Sequence, residues 1–284
     1  MEPTTEPIFR FAPSPNGHLH LGHAYSALYT AHWAAKLGGK FLLRIEDIDT
    51  ARCKPEFVKS QIDDLHWLGL NWPEPVIHQS NRFESYKAAA QRLRDMDLLY
   101  PCFCSRVEIK TASTGTDPDG APLYPGTCKH LSKTEISQRL ANNEPVQWRL
   151  NIDEALRRTG ILTFTNVQPT PLDRPQIRYA KPERWGDVVL VRKDTPTSYH
   201  LSVIVDDAHQ NITHVTRGKD LEAATDIHIL LQFLLGLPQP LYTHHKLIKD
   251  DADIKLSKSK SAQTLKDMRE AGWTADAVRT RLGF

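Results

Sequence analysis

The chain has 284 residues, 40% of them hydrophobic and 25% charged, a balance that excludes whole-chain disorder and leaves room for one large core or two smaller ones. Its 36 Lys and Arg nearly cancel 34 Asp and Glu, for a net charge of +2, so a polyanion has to meet a local patch rather than a global field. No apolar run reaches the roughly 20 residues of a membrane span, and the acidic, Pro/Thr-rich residues 1–7 lack the apolar centre of a signal peptide; a cytoplasmic protein is expected.

Residues 8–12 read as a buried strand that runs into a Pro/Gly turn at 13–17. An apolar helical stretch follows over 20–37 and stops at Gly38-Gly39, a good C-terminal signal. Residues 40–45 form a second strand, and 56–68 an amphipathic helix with Phe57, Ile62, Leu65 and Leu68 on one side. A helix over 82–98 and a strand over 99–103 continue the alternation, which predicts a parallel sheet with crossovers. The pattern breaks at 111–126, a Gly/Pro/Thr/Asp-rich loop, and again at the Pro-rich connection 169–182. Between them a polar helix (133–142) and short strands (146–150, 162–166) read as an insertion. Strand character returns at 187–192, 203–206 and 213–217, and an apolar helix covers 221–235. A Lys/Ser-rich loop, 246–261, and two short helices close the chain. The expected division is two halves of one sheet domain (1–100 and 187–245), an inserted subdomain (101–186), and a loop with a helical tail (246–284).

Chemistry concentrates in a few places. Arg10-Phe-Ala-Pro-Ser-Pro-Asn-Gly-His-Leu-His-Leu-Gly-His23 is a strand, a turn and a helix start. A helix N-terminus gathers free N–H groups and positive dipole, which suits phosphate. His20 and His23 face the same side of that first turn, and Gly22 lets a flat ring approach the backbone. Incidental surface histidines or a His-x-x-His metal site are the competing readings. Far downstream, Lys255-Leu-Ser-Lys-Ser259 can neutralise charge on a departing pyrophosphate, although an isolated pentapeptide of this kind is more often a solvated linker. Arg10 and Arg217 fall at strand ends, where a planar guanidinium can grip a carboxylate bidentately; structural ion pairs are the commoner use of such arginines. Glu46 is placed to hold an ammonium and Tyr199 to donate a hydroxyl. Asp47 and Asp49 read as structural. Three of the four cysteines, Cys102, Cys104 and Cys128, crowd together, which in a reducing compartment points to zinc more than to disulfides. Chemistry alone offers His130 as the fourth ligand. Cys53 stands apart at a helix start.

Taken together, the His-x-Gly-His helix start and the Lys-Leu-Ser-Lys-Ser loop resemble the HIGH and KMSKS signatures of class I aminoacyl-tRNA synthetases. Arg10-Phe-Ala-Pro-Ser-Pro, Leu43-Arg-Ile-Glu-Asp-Ile-Asp49 and Val215-Thr-Arg-Gly-Lys-Asp220 resemble the glutamyl-tRNA synthetase branch, from about residue 8 to the end. The resemblance implies an α/β fold: a Rossmann-like parallel sheet split by a zinc-containing insertion, with a short helical tail. It implies ATP with Mg²⁺, bound around His20, Gly22, His23 and Lys258, and catalysis by His20, His23, Lys255 and Lys258. It implies glutamate held by Arg10, Ala12, Ser14, Glu46, Tyr199 and Arg217, and one structural zinc on Cys102, Cys104, Tyr124 and Cys128. Only about 25 residues follow the lysine loop, which with the cysteine cluster is similar to the truncated branch that lacks anticodon-binding domains. Those proteins activate glutamate and esterify it to queuosine in the anticodon loop of tRNA(Asp); activation without tRNA is expected here, since nothing in the glutamate pocket requires RNA to assemble. A monomer is expected. The readings it competes with are a truncated synthetase charging the 3′ end of tRNA(Glu), a non-catalytic zinc-dependent RNA-binding module, and a nucleotidyl transferase of related fold.

Overall fold

In the computed structural model, which describes residues 6–167, 174–248 and 263–284, the N-terminal part alternates as its sequence predicts. The elements are β1 (Ile8–Phe11), α1 (Leu21–Lys36), β2 (Lys40–Ile45), α2 (Pro55–Trp67), a two-residue β3 (Ile77–His78) and α3 (Phe83–Asp95). Leu21, Ala24, Tyr25 and Leu28 of α1 are buried, the i, i+3, i+4, i+7 spacing of one helix face. Past its end Gly38 adopts φ +63, and Gly39 lies where a Cβ would come 2.2 Å from the Pro7 carbonyl oxygen. That approach lets the Lys40 amide bond Pro7 at 2.8 Å and sets β2 beside β1.

The next strand breaks the expectation. β4 (Leu99–Cys102) does not extend the parallel sheet; it pairs antiparallel with β5 (Gln147–Leu150), which in turn pairs with β8 (Val189–Val191). The chain between β4 and β8 carries α4 (Arg106–Ala112), α5 (Lys133–Ala141), α6 (Ile152–Thr159), β6 (Thr163–Asn166) and β7 (Gln176–Tyr179). β6 returns to the main sheet alongside a later strand, where buried Phe164 meets Tyr242 edge-on at 5.8 Å. The strand read as part of an insertion therefore completes the main sheet, because its apolar face finds cover there.

A second correction concerns 203–206, read as a strand. These residues lie inside α7 (Tyr199–His209). The helix buries Leu201, Val203 and Ile204 together with Ser202, Asp206 and Asp207, so it shows no polar face, and a short β-branched run without periodicity cannot be told from a strand. β9 (His214–Gly218), α8 (Thr225–Leu235), β10 (Leu241–His245), α9 (Leu265–Glu270) and α10 (Ala275–Leu282) complete the order; β10 is a strand the sequence reading passed over.

The main sheet runs β3-β2-β1-β9-β10-β6-β7, parallel throughout except for the β6–β7 pair. One apolar core joins α1, α2, α9 and α10 to one part of it, and another gathers α3, α7 and α8 with the three-stranded sheet. The strand order reverses between β1 and β9, and in open α/β sheets the binding crevice opens at the carboxyl ends of the strands at such a reversal. Among the described residues, no helix is long and apolar enough to cross a membrane.

Candidate active site

The turn after β1 delivers His20 to the N-cap of α1. Its Nδ1 accepts from the Gly22 amide at 3.0 Å, while Nδ1 of His23 accepts from the His20 amide at 3.2 Å. With both Nδ1 atoms accepting, the network assigns the protons to Nε2 on each ring. The rings lie 3.9 Å apart, and burial, with His20 adding to it, pulls His23 down to about 3. His23 thus works as a neutral N–H donor at the positive end of a helix. A Cβ on Gly22 would sit 2.9 Å from His20 Cε1: the glycine makes room for the capping imidazole itself. His20, Gly22 and His23 line a cleft of 220 Å³ together with Gly218, His245 and Leu247. Lys255 and Lys258 lie outside the described residues. The segments flanking them do not: Ile248 lines the cleft, and Thr264 bridges to His20 while the Leu265 amide donates to Leu19 O at 2.7 Å.

Ser14, Glu46 and Tyr199 come together in a second, smaller cavity of 120 Å³, with Gln79, Arg192 and Cys53 in its wall. Glu46 is only 9% exposed. Burial pushes its carboxyl up, opposed by the charges of Arg44 and Arg10. Ala12 sits half-buried just past β1 and lines neither cavity. Asp47 accepts from the Ser80 amide and hydroxyl, both at 2.8 Å, and Asp49 pairs with Arg52 at 2.6 Å, although Asp49 also reaches the cavity wall.

The two candidate arginines differ. Arg10 donates from Nε and Nη2 to Asp207 at 2.9 and 3.3 Å, and Arg44 donates to the same carboxylate at 2.8 Å. Burial alone would raise Asp207, but these two guanidiniums hold it below the usual carboxylate range. Arg10 is thus engaged in a structural ion pair. Arg217 is equally buried, at 5% exposure, yet its donors go to Thr225 Oγ1 at 2.6 Å, His228 Nδ1 at 3.1 Å and His244 Nε2 at 3.3 Å, with Tyr199 Oη at 3.5 Å. None of these is an anion. Among the described residues no carboxylate pairs with it; a buried cation without a counter-charge is costly, and this one stands beside the Tyr199 wall of the smaller cavity.

At the end of β4, the sulfurs of Cys102, Cys104 and Cys128 all lie within 4.8 Å of one another. Cys104 and Cys128 are 3.5 Å apart; zinc–sulfur bonds of 2.3 Å place tetrahedral ligands about 3.8 Å apart. The Tyr124 hydroxyl is 3.7 Å from Cys104 Sγ and accepts from the Cys128 amide at 2.7 Å. His130 is exposed and outside the group. Burial would raise the Cys102 thiol, but hydrogen bonds from Tyr124, Gln147 and Arg149 bring it down to about 7. The donor set fits a thiolate-bound metal.

Several residues of this site carry no sequence signal. Asp207 lies in α7, one residue past the 203–206 segment that reads as a strand, and His244 lies in β10, which has no strand signal of its own. His228 and Thr225 sit in an apolar helix, where lone polar residues usually signify packing.

The strand order, its reversal between β1 and β9, and a cleft at the start of α1 are the architecture of class I synthetase catalytic domains. Residues 8–283 match the family of tRNA synthetases class I (E and Q), catalytic domain, and the chain belongs to that family; it is a synthetase-like ligase. Over 98% of its length it is 46% identical to the Glutamyl-Q tRNA(Asp) synthetase of Rhodobacter capsulatus, 100% of which is covered. It is 39% identical over 97% of its length to the protein of the same name from Symbiobacterium thermophilum, covering 85% of it. Among solved structures it is similar to a glutamate tRNA ligase from Elizabethkingia meningosepticum, with a TM-score of 0.69 and 25% identity over 94% of this chain. The chain spans 53% of that structure's length.

Proposed function

We propose that the protein activates L-glutamate with ATP and Mg²⁺ to glutamyl-adenylate, without needing tRNA, and transfers the glutamyl group to queuosine in the anticodon loop of tRNA(Asp). The observation that carries the amino-acid half is Arg217: a buried guanidinium whose hydrogen-bond partners among the described residues are neutral, next to a cavity whose wall holds a buried carboxylate, Glu46. Glutamate supplies both complements, a carboxylate for Arg217 and an ammonium for Glu46, with Ser14 and Tyr199 as hydroxyl partners and Arg10 and Ala12 behind them. Its α-carboxylate attacks the α-phosphorus of ATP and pyrophosphate leaves. The Nε2–H groups of His20 and His23, with Lys255 and Lys258 from the lysine loop, stabilise charge on the phosphates, and Gly22 keeps the capping ring in place. Catalysis then rests on positioning and electrostatics with no covalent enzyme intermediate. Zinc on Cys102, Cys104, Tyr124 and Cys128 would act as a structural cross-link in a polar, loop-rich segment. The RNA half is supported by the names of relatives that align along nearly all of this chain.

The test uses labelled glutamate, ATP and tRNA(Asp) with and without queuosine, with ribonuclease mapping of the product. Label confined to the anticodon loop of queuosine-containing tRNA, and pyrophosphate exchange in the absence of tRNA, are expected. Label on the 3′-terminal adenosine, or equal charging of tRNA lacking queuosine, would favour a conventional glutamyl-tRNA synthetase activity.

A further inference from the structure

Arginine only donates hydrogen bonds, so the contacts of Arg217 assign the tautomers of the rings around it. His228 accepts on Nδ1 and carries its proton on Nε2, which lies 3.3 Å from His200 Nδ1. His244 accepts on Nε2 and carries its proton on Nδ1, 3.3 Å from Asn166 Oδ1. The row Arg217–His244–Asn166 crosses three neighbouring strands, β9, β10 and β6, while His228 closes in from α8. Burial first, and the Arg217 charge second, holds His244 at about 3 and His200 at about 4; His228 is driven well below its ordinary value by the same two causes. The imidazoles therefore stay neutral around a cation. A carboxylate in either place would bind the guanidinium more strongly, but it would also cancel its charge.

We propose that His244 and His228 are positioning residues that hold Arg217 by neutral acceptors, so that its charge is kept for the carboxylate of the amino-acid substrate. The proposal rests on Arg217 being a substrate-binding residue, as inferred above. It predicts that charge, not shape, decides what is tolerated at these two positions.

The experiment compares isosteric pairs: His244→Glu with His244→Gln, and His228→Asp with His228→Asn. Each amide keeps an acceptor near the ring nitrogen it replaces, and each acid adds only a negative charge. KM for glutamate and for ATP is measured by pyrophosphate exchange, and thermal unfolding reports folding. His244→Glu should raise the glutamate KM about 100-fold or more, through cancellation of a buried recognition charge. Its ATP KM should change by less than about threefold, as a loss confined to one substrate requires. His244→Gln should stay within about tenfold of the unaltered glutamate KM, the scale of one weakened hydrogen bond. The His228 pair should show the same order and gives the answer where His244→Glu does not fold. Acid and amide variants impaired alike, or an acid variant with unaltered glutamate KM, would overturn the proposal. Arg217→Ala separates the two layers: if it leaves the glutamate KM unchanged, the assignment of Arg217 to substrate is what fails.

Discussion

At the residue scale, two buried arginines of the same candidate site have opposite electrostatic situations. Arg10 shares Asp207 with Arg44, so Arg10→Met should act on stability. Because Asp207 keeps Arg44, the loss should be about 2 kcal/mol, below the 3–5 of a buried pair left with no partner, as read from denaturant midpoints. Among the described residues the hydrogen-bond partners of Arg217 are all neutral, so Arg217→Lys should act on binding. Replacing a planar fork by a point charge should raise the glutamate KM by about 10- to 100-fold, the range of a charged hydrogen bond, with the ATP KM nearly unchanged. A variant that lost stability but bound glutamate normally would assign Arg217 to the scaffold.

At the element scale, the start of α1 and the cysteine cluster at the end of β4 are the two units that chemistry depends on. Gly22→Ala brings a Cβ to 2.9 Å from His20 Cε1, so the imidazole must shift from its place over the Gly22 amide. Losing that cap costs about 1 kcal/mol, and the displaced ring should weaken ATP binding more than glutamate binding in exchange assays. In the cysteine unit, replacing Cys102 and Cys104 by Ser should release about one equivalent of zinc, as a single four-ligand site requires, and lower the melting temperature. Metal analysis showing an unaltered protein that is free of zinc, and as stable as the double variant, would eliminate the site. These units were legible to different degrees. The helix start announces itself in adjacent residues, and the cysteine spacing suggests metal. Which fourth group stands nearest the thiols is a matter of folding: Tyr124 is brought against Cys104 and Cys128, while His130 faces solvent.

At the scale of the whole molecule, several titratable groups are buried in the form that carries no charge. His23 and His244 are lowered from 6.5 to about 3 and His200 to about 4, each chiefly by burial. A lowered histidine contributes stability that is fully present above the unfolded value of 6.5. That contribution is lost as pH falls toward the folded value, because only the unfolded chain takes up the proton. Each such histidine contributes a slope of up to about 1.4 kcal/mol per pH unit. Glu46, raised by burial, and Asp64, raised to about 6 by burial, act in the opposite sense, favouring the folded state at lower pH. The histidines reach further and in greater number, so unfolding midpoints measured at pH 7.5, 6.0 and 5.0 should fall steadily. A flat profile across that range would mean that the imidazoles are not buried neutral.

The sequence alone determined what neighbouring residues can encode. The strand–turn–helix at the N-terminus, the Gly38-Gly39 stop, the alternation that requires a mostly parallel sheet, and the clustered cysteines are all signals within a few positions of one another. Periodicity failed where an element is enclosed on every side, as in α7, and where a strand is short and mixed, as in β10. Tertiary structure decided what depends on contacts between distant segments. Arg10 is paired with a carboxylate 197 positions away, and Arg217 meets, among the described residues, only neutral hydrogen-bond partners from β10, α7 and α8. No local pattern distinguishes the two arginines. The difference lies in which side chains the fold brings to within hydrogen-bond reach, and in the low-dielectric interior that makes one missing counter-charge matter.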